Sequence, residues 1–140
     1  TKRRKDAIVI DVGSAVTVDL VKNRSFKGGV ILAGPALSLL ALAQNTEKLP
    51  LLEYRLPTVG LIGRFDSTEH SMRMGAWLGT LGGIRAAVTL FEKSAGRSIT
   101  KIITGGGADT VAASLPKGWR REPHLVMKGL YRIWEMNHVV

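Results

Sequence analysis

The sequence predicts an α/β domain with a mixed sheet of about five strands flanked by helices. Three observations carry this. Residues 7–32 hold three short runs rich in β-branched side chains, separated by the turn formers Gly13-Ser14 and Asn23-Arg24-Ser25. Two later stretches carry apolar residues at helical spacing between Gly and Pro punctuation. An apolar run over 98–104 then enters Gly105-Gly106-Gly107 directly, as a strand does before a helix in α/β units. The 140 residues are 45% hydrophobic and 22% charged. That composition suits one globular domain able to bury about two-thirds of its unfolded surface.

The elements follow in order. Residues 7–12 (AIVIDV) form a continuous apolar run, the pattern of a strand covered on both faces. Residues 15–21 alternate and end at the Lys22–Ser25 turn, giving a second strand. Residues 26–32 make a third, in which Gly28-Gly29 marks a bulge or a close backbone approach. Gly34-Pro35 opens a helix to about Thr46, its apolar stripe read as Leu37, Leu40, Ala41 and Gln44, and Leu49-Pro50 closes it. Residues 51–66 form an irregular connection long enough to suggest a functional loop. Ser67 or Thr68 caps a helix that runs to Ser94 and stops at Gly96. On it Gly75, Gly79, Gly83 and Ala87 recur every fourth residue, a small-residue stripe that lets this chain or a second subunit approach closely. Residues 98–104 form a strand, 108–115 a helix, 118–121 a short strand, and Pro123 opens a last amphipathic helix. Leu125, Leu130, Ile133, Trp134 and Met136 are its expected core contacts. Three antiparallel strands followed by strand–helix units describe a ribonuclease-H-like layer, of which actin-like ATPases and sugar kinases contain two. A dinucleotide-binding reading fails because Gly13 leads into a strand rather than a helix.

Composition narrows the chemistry. With no Cys, disulfides, zinc thiolates and thiol nucleophiles are excluded, and a reducing compartment is expected. His70, His124 and His138 are too far apart for a zinc motif. No signal peptide is legible. Residues 74–91 are apolar, but Arg85 at mid-span argues for a buried helix over a membrane span. The net charge of +9 gathers in Lys2-Arg3-Arg4-Lys5, around Lys22, Arg24 and Lys27, and at Lys117, Arg120 and Arg121. That distribution fits nucleic acid or small anionic substrates. No helix-turn-helix, RNP pattern or zinc finger accompanies it, so nucleotides and other anions are the expected partners.

The stretch IVIDVGSAVTVD at 8–19 carries the most chemistry. Asp11, Gly13, Ser14, Thr17 and Asp19 sit at D-x-G-[S/T]-x-x-T-x-D spacing. In a phosphate-gripping hairpin, Gly13 lets N–H groups approach an anion, Ser14 and Thr17 offer hydroxyls, and the carboxylates hold a cation. The same residues also suit a plain tight turn. The Gly-rich turn at 105–107, between a strand and a helix N-terminus, is a second anion or nucleotide edge.

Five ordered motifs together resemble the second half of a type III pantothenate kinase: DVGSAVTVD at 11–19, FKGGVI at 26–31, the Leu-rich helix ending in Leu49-Pro50, TGGGA at 104–108 and EPHLVMKGL at 122–130. The resemblance spans about residues 7–137, with 1–6 a basic linker or frayed end and 7–140 one actin-like half-domain. It implies phosphorylation of pantothenate by ATP, the first step towards coenzyme A, in the cytoplasm. Asp11 matches the family's potassium contact, and magnesium accompanies ATP. Gly13, Ser14 (Thr in most of the family), Ala15, Thr17, Gly105 and Gly106 match ATP-binding positions. Thr68 matches a pantothenate contact, although two extra residues in 63–68 leave Asp66 and Ser67 as alternatives. The family's first half, with its own phosphate loop and the Gly-Ala-Asp-Arg segment that supplies the catalytic base, has no counterpart here. No catalytic residue is therefore expected in this chain: Asp19 would order the hairpin and Asp109 favour a helix N-terminus. The isolated chain is expected to be inactive and to need that missing half. Homodimerisation through the Gly-rich helix over 71–95 is also implied. A non-catalytic regulatory homologue of the same fold, of the accessory transcription-factor type, is the alternative.

Overall fold

The computed structural model describes residues 6–55 and 66–138. The chain builds β1 (Ala7–Val12), β2 (Ala15–Lys22), β3 (Ser25–Ala33), α1 (Pro35–Asn45), α2 (Thr68–Ala95), β4 (Thr100–Thr104), α3 (Ala108–Ala113), β5 (Arg120–Arg121) and α4 (Leu125–Asn137). The five strands form one mixed sheet in the order β3-β2-β1-β4-β5. β1, β2 and β3 pair antiparallel, while β4 lies parallel to β1 and β5 parallel to β4. The predicted elements are thus all present, with boundaries shifted by a few residues. The part of the 51–66 connection over 56–65 lies outside the described residues; 51–55 carry no regular structure.

Local chemistry explains the turns. Asn23 and Arg24 both have positive φ, 53° and 64°, as a two-residue hairpin with the right twist requires. Gly29 is a close-approach position, because a Cβ there would stand 2.6 Å from Val18 O. Ser67 caps α2 by accepting from His70 N at 3.1 Å, and Gly96 ends the helix in the left-handed region at φ 66°.

The core lies between one face of the sheet and two helices. Ile8, Ile10, Val12, Val16, Val18 and Ile103 meet Trp77, Leu81, Ile84 and Val88 of α2 and Val111 of α3. Although α2 is long and apolar enough to cross a membrane by length and composition alone, its Trp77, Leu81, Ile84 and Val88 are buried in this interior, and its Met72 and Ala76 are buried against Leu39 of α1. The small-residue stripe is divided: a Cβ on Gly83 would stand 2.7 Å from Leu32 Cδ1, and Ala87 is buried, whereas Gly75 and Gly79 face open space.

Three sequence expectations need correction. β1 is buried on alternate residues only, so its second face, with Val9 and Asp11, is half-covered in this chain. On α1 the buried side chains are Pro35 and Leu39, while Leu37 and Leu40 are exposed. The stripe read from spacing is the outer one, because Gly34-Pro35 fixes which way the helix leaves β3. α4 contributes no buried residue: Leu130, Ile133, Trp134 and Met136 are all exposed and Leu125 is half-buried. Helical periodicity identifies an apolar face but not what it meets.

A carboxylate ties α2 to β4. Glu92 pairs with Lys101 and accepts from Ile99 N and Ser98 Oγ, both at 2.9 Å. These contacts, the Lys101 hydrogen bond first, hold its pKa below the ordinary 4.5. Its stabilisation is therefore complete above pH 4.5 and fades as pH falls through the lowered folded value. Glu92→Gln is expected to be less stable than the parent at about pH 7, with the gap closing towards about pH 3. Urea titrations at both pH values check this.

Candidate functional site

The carboxyl end of β1 organises the site. In register, Asp11 stands beside Thr17 of β2 and Thr104 of β4, so the hairpin and the Gly-rich turn leave the same edge of the sheet. The turn is pressed against β1: Gly107 N donates to Val12 O at 2.9 Å. Gly105 adopts φ 93°, and a Cβ on it would lie 2.4 Å from Asp11 Oδ1 and 2.6 Å from both Val12 N and Val12 O. Glycine here is a steric requirement, and it brings the turn onto the Asp11 carboxylate. On the other side Gly34 N donates to Ser14 O at 2.9 Å, and a Cβ on Gly34 would stand 2.5 Å from that oxygen. The start of α1 is thereby locked onto the tip of the hairpin.

Between these turns lies a cavity of about 360 Å³, lined by Gly13 and Ser14 from the hairpin, Gly106 and Gly107 from the turn, and Pro35, Tyr54, Trp77 and Thr110 among others. Of the predicted nucleotide contacts, Gly13, Ser14 and Gly106 line this space. Ala15 sits at the exposed start of β2, where its carbonyl accepts from Gly13 N at 3.0 Å. Thr17 donates its hydroxyl to Asp19 Oδ2 at 3.0 Å, so Asp19 orders the hairpin. Gly105 serves the close approach to Asp11 rather than the cavity lining. Asp109 is paired with Arg121, whose guanidinium donates to Oδ2 at 2.6 Å; Arg120 pairs with Glu122.

Tyr54, Trp77 and Thr110 were not legible as cavity residues. Tyr54 follows the closing Leu49-Pro50, in the irregular connection whose length alone hinted at function. Burial raises its pKa above the ordinary 10.0, so the phenol stays a neutral donor at about pH 7. Trp77 and Thr110 read in sequence as helix positions.

A second hollow of about 650 Å³ opens at the start of α2, lined by Asp66, Ser67, Thr68, Ser71, Leu42 and Leu49 among others. The three alternatives for a substrate contact are therefore neighbours here. Ser67 Oγ is engaged as the helix cap, and Asp66 Oδ1 lies 2.7 Å from His70 Nδ1. Thr68 is exposed beside them at the first helical position.

No group of three or more His, Cys, Asp or Glu able to hold a metal occurs among the described residues. The carboxylate at the end of β1 is Asp11, in register with Thr17 and Thr104. A carboxylate oxygen is a hard donor, of the kind that suits a hard cation and not a soft metal.

Comparisons with known proteins agree with this architecture. The structure superposes on a Campylobacter jejuni protein described as a conserved putative Baf family transcriptional activator, with TM-score 0.69 and 22% identity over 97% of this chain and 60% of the other. It also matches the Alp12 filament structure with TM-score 0.56 and 15% identity, over 99% of this chain and 49% of that one. These likenesses concern the fold alone, a mixed five-stranded sheet flanked by helices. In sequence, the chain is 37% identical to the type III pantothenate kinase of Fervidobacterium nodosum over 94% of its length and 50% of the relative. It is 38% identical to the type III pantothenate kinase of Thermus thermophilus over 90% of its length and 49% of the relative. The chain thus spans about half the length of these curated relatives. A family model described as type III pantothenate kinase matches residues 1–89, more than half of the chain. This chain belongs to the type III pantothenate kinase family.

Proposed function

We propose that this chain is the carboxyl-terminal half of an enzyme that transfers the γ-phosphoryl group of ATP to pantothenate. The observation that carries this is the shared cavity: Gly13 and Ser14 from the hairpin and Gly106 and Gly107 from the turn line one space at one edge of the sheet. Phosphoryl transfer depends on positioning and on neutralising charge more than on covalent chemistry, and both turns suit that work. Gly13 leaves its neighbours' N–H groups accessible to phosphate oxygens, Ser14 donates a hydroxyl, and Gly105 and Gly106 let the second turn approach the nucleoside end. Thr68, at a helix start, donates to the polar end of pantothenate. Asp11 would hold a potassium ion, and magnesium would arrive with ATP; both cations supply neutralisation of phosphate charge.

The base that accepts the pantothenate hydroxyl proton is assigned to the amino-terminal half of the enzyme, so this chain alone is inactive. Gly75 and Gly79, open on α2, and the groove they share with Ser38 and Ala41 of α1 favour a homodimer through residues 71–95. A cytoplasmic location accords with these substrates.

The test is pantothenate-dependent ADP release by the full-length protein in potassium and magnesium. Ser14→Ala is expected to lower kcat/KM for ATP by about 10- to 100-fold, the loss of one hydrogen bond to a charged group. Asp11→Asn is expected to abolish the response to potassium. Absence of turnover in the unmodified full-length protein overturns this function.

A further inference from the structure

Towards the carboxyl end of α2 the chain leaves a hollow of about 350 Å³ that the proposed reaction does not use. It is lined by Arg85, Thr89 and Glu92 of α2, by Lys101 of β4, and by Lys117, Gly118 and Trp119 from the segment between α3 and β5. The hollow is separate from the cavity between the two turns. Lys101 precedes Thr104 on β4 by about 10 Å of strand, and Val88 lies about 16 Å along α2 from Trp77. The groove that α2 shares with α1 sits at Gly75 and Gly79, near the other end of the helix.

The charges in this hollow do not balance. Arg85, Lys101 and Lys117 face the single carboxylate of Glu92, and Glu92 is spent on Lys101, Ile99 N and Ser98 Oγ. Arg73, Arg97, Arg121 and Lys128 each have a carboxylate partner; Arg85 and Lys117 have none among the described residues. Arg85 donates to Ser114 O at 2.8 Å, which holds the guanidinium in place while its remaining donors stay open. Gly118, at φ 102°, turns the chain so that Lys117 and Trp119 border the same space. Trp119 packs against the main core, yet part of its ring borders the hollow. An aromatic wall beside two uncompensated cations is the chemistry that holds a planar base and its phosphate.

We propose that this hollow is a second ligand site, taking a nucleoside monophosphate with its phosphate on Arg85 and Lys117 and its base against Trp119. The Thr89 hydroxyl offers a further donor to the phosphate or the ribose. Glu92, already neutralised by Lys101, does not repel the anion as a free carboxylate would. The occupant would bridge α2 to the segment after α3, and the distance from the cavity between the turns leaves room for both sites to be filled together.

The full 140-residue chain, isotopically labelled, is titrated with AMP, inorganic phosphate and adenosine and followed by NMR of its amide and indole N–H groups. The expected result is saturable movement of the Trp119 indole and of the Lys117 and Gly118 amides, with a Kd for AMP below about 1 mM. Inorganic phosphate is expected to bind about 10-fold more weakly for want of a base to stack. Adenosine is expected to lose a similar factor for want of the charged acceptor. Lys117→Glu, at an exposed position, is expected to weaken AMP by about 10-fold or more and to leave the urea midpoint unchanged. The Trp77 indole and the Gly106 amide report the cavity between the turns, so nucleotide binding there is read separately and bears only on the proposed function. The amides of Lys22, Arg24 and Lys27 measure attraction by charge alone. No saturable movement at Trp119, movement of that basic turn in step with it, phosphate or adenosine binding as tightly as AMP, or indifference to Lys117→Glu would each overturn the proposal.

Discussion

Gly105→Ala is expected to destabilise the chain by about 3 kcal/mol, a large share of the roughly 5–15 kcal/mol that holds an ordinary domain together. Two effects add. A left-handed backbone at φ 93° costs an L-residue about 1–2 kcal/mol, and the new methyl would overlap Asp11 Oδ1, Val12 N and Val12 O at 2.4–2.6 Å. The Asp11 carboxylate can rotate away, but the Val12 backbone cannot without loosening β1 from β4. Relief must then come from the turn itself, moving Gly106 and Gly107 out of the cavity. Gly106→Ala is the matched control: its φ is ordinary and nothing lies within 4 Å of the added carbon, so a change within about 0.5 kcal/mol is expected. Urea midpoints of the two variants decide the matter. Equal midpoints would show that the turn is not clamped to β1 as described.

Trp77→Ala is expected to cost about 3–5 kcal/mol, the range for deleting a large buried aromatic. Trp77 is 4% exposed and belongs to the main core while also lining the site cavity. Its removal therefore loosens the packing of α2 against the sheet and merges a new void with the ligand space. Trp77→Phe keeps most of the volume and is expected to cost less than about 1.5 kcal/mol. Thermal unfolding gives the stability difference, and under the proposed function KM for ATP in the full-length protein reads the cavity. A Trp77→Ala variant as stable as the parent would place this side chain outside the core.

The order of elements was legible because each rests on local chemistry: alternation in β2, Pro35 opening α1, Ser67 and Gly96 bounding α2, and glycines at the turns. The hairpin and the Gly-rich turn were legible as anion-binding candidates for the same reason, since Asp11, Gly13, Ser14 and Gly105 stand at fixed offsets within short segments. Their convergence on one cavity depended on β1 lying between β2 and β4, with β1 and β4 far apart along the chain. Tyr54 and Trp77 could not be found as cavity residues by spacing, because they reach that space only through the packing of α2 and the connection before it.

The faces of the helices show the same division. On α1, periodicity offered Leu37 and Leu40, yet Leu39 enters the core because Gly34 pins the helix start to Ser14. On α4, periodicity identified the amphipathic side correctly, and only the folded chain revealed that no described residue buries that side. Residue order therefore settles where elements begin and end and which side chains share a face, since propensity, capping and turn geometry act over a few residues. Which face meets the core, and which distant turns share a cavity, was settled by the tertiary fold, because close packing and register join groups that are remote along the chain.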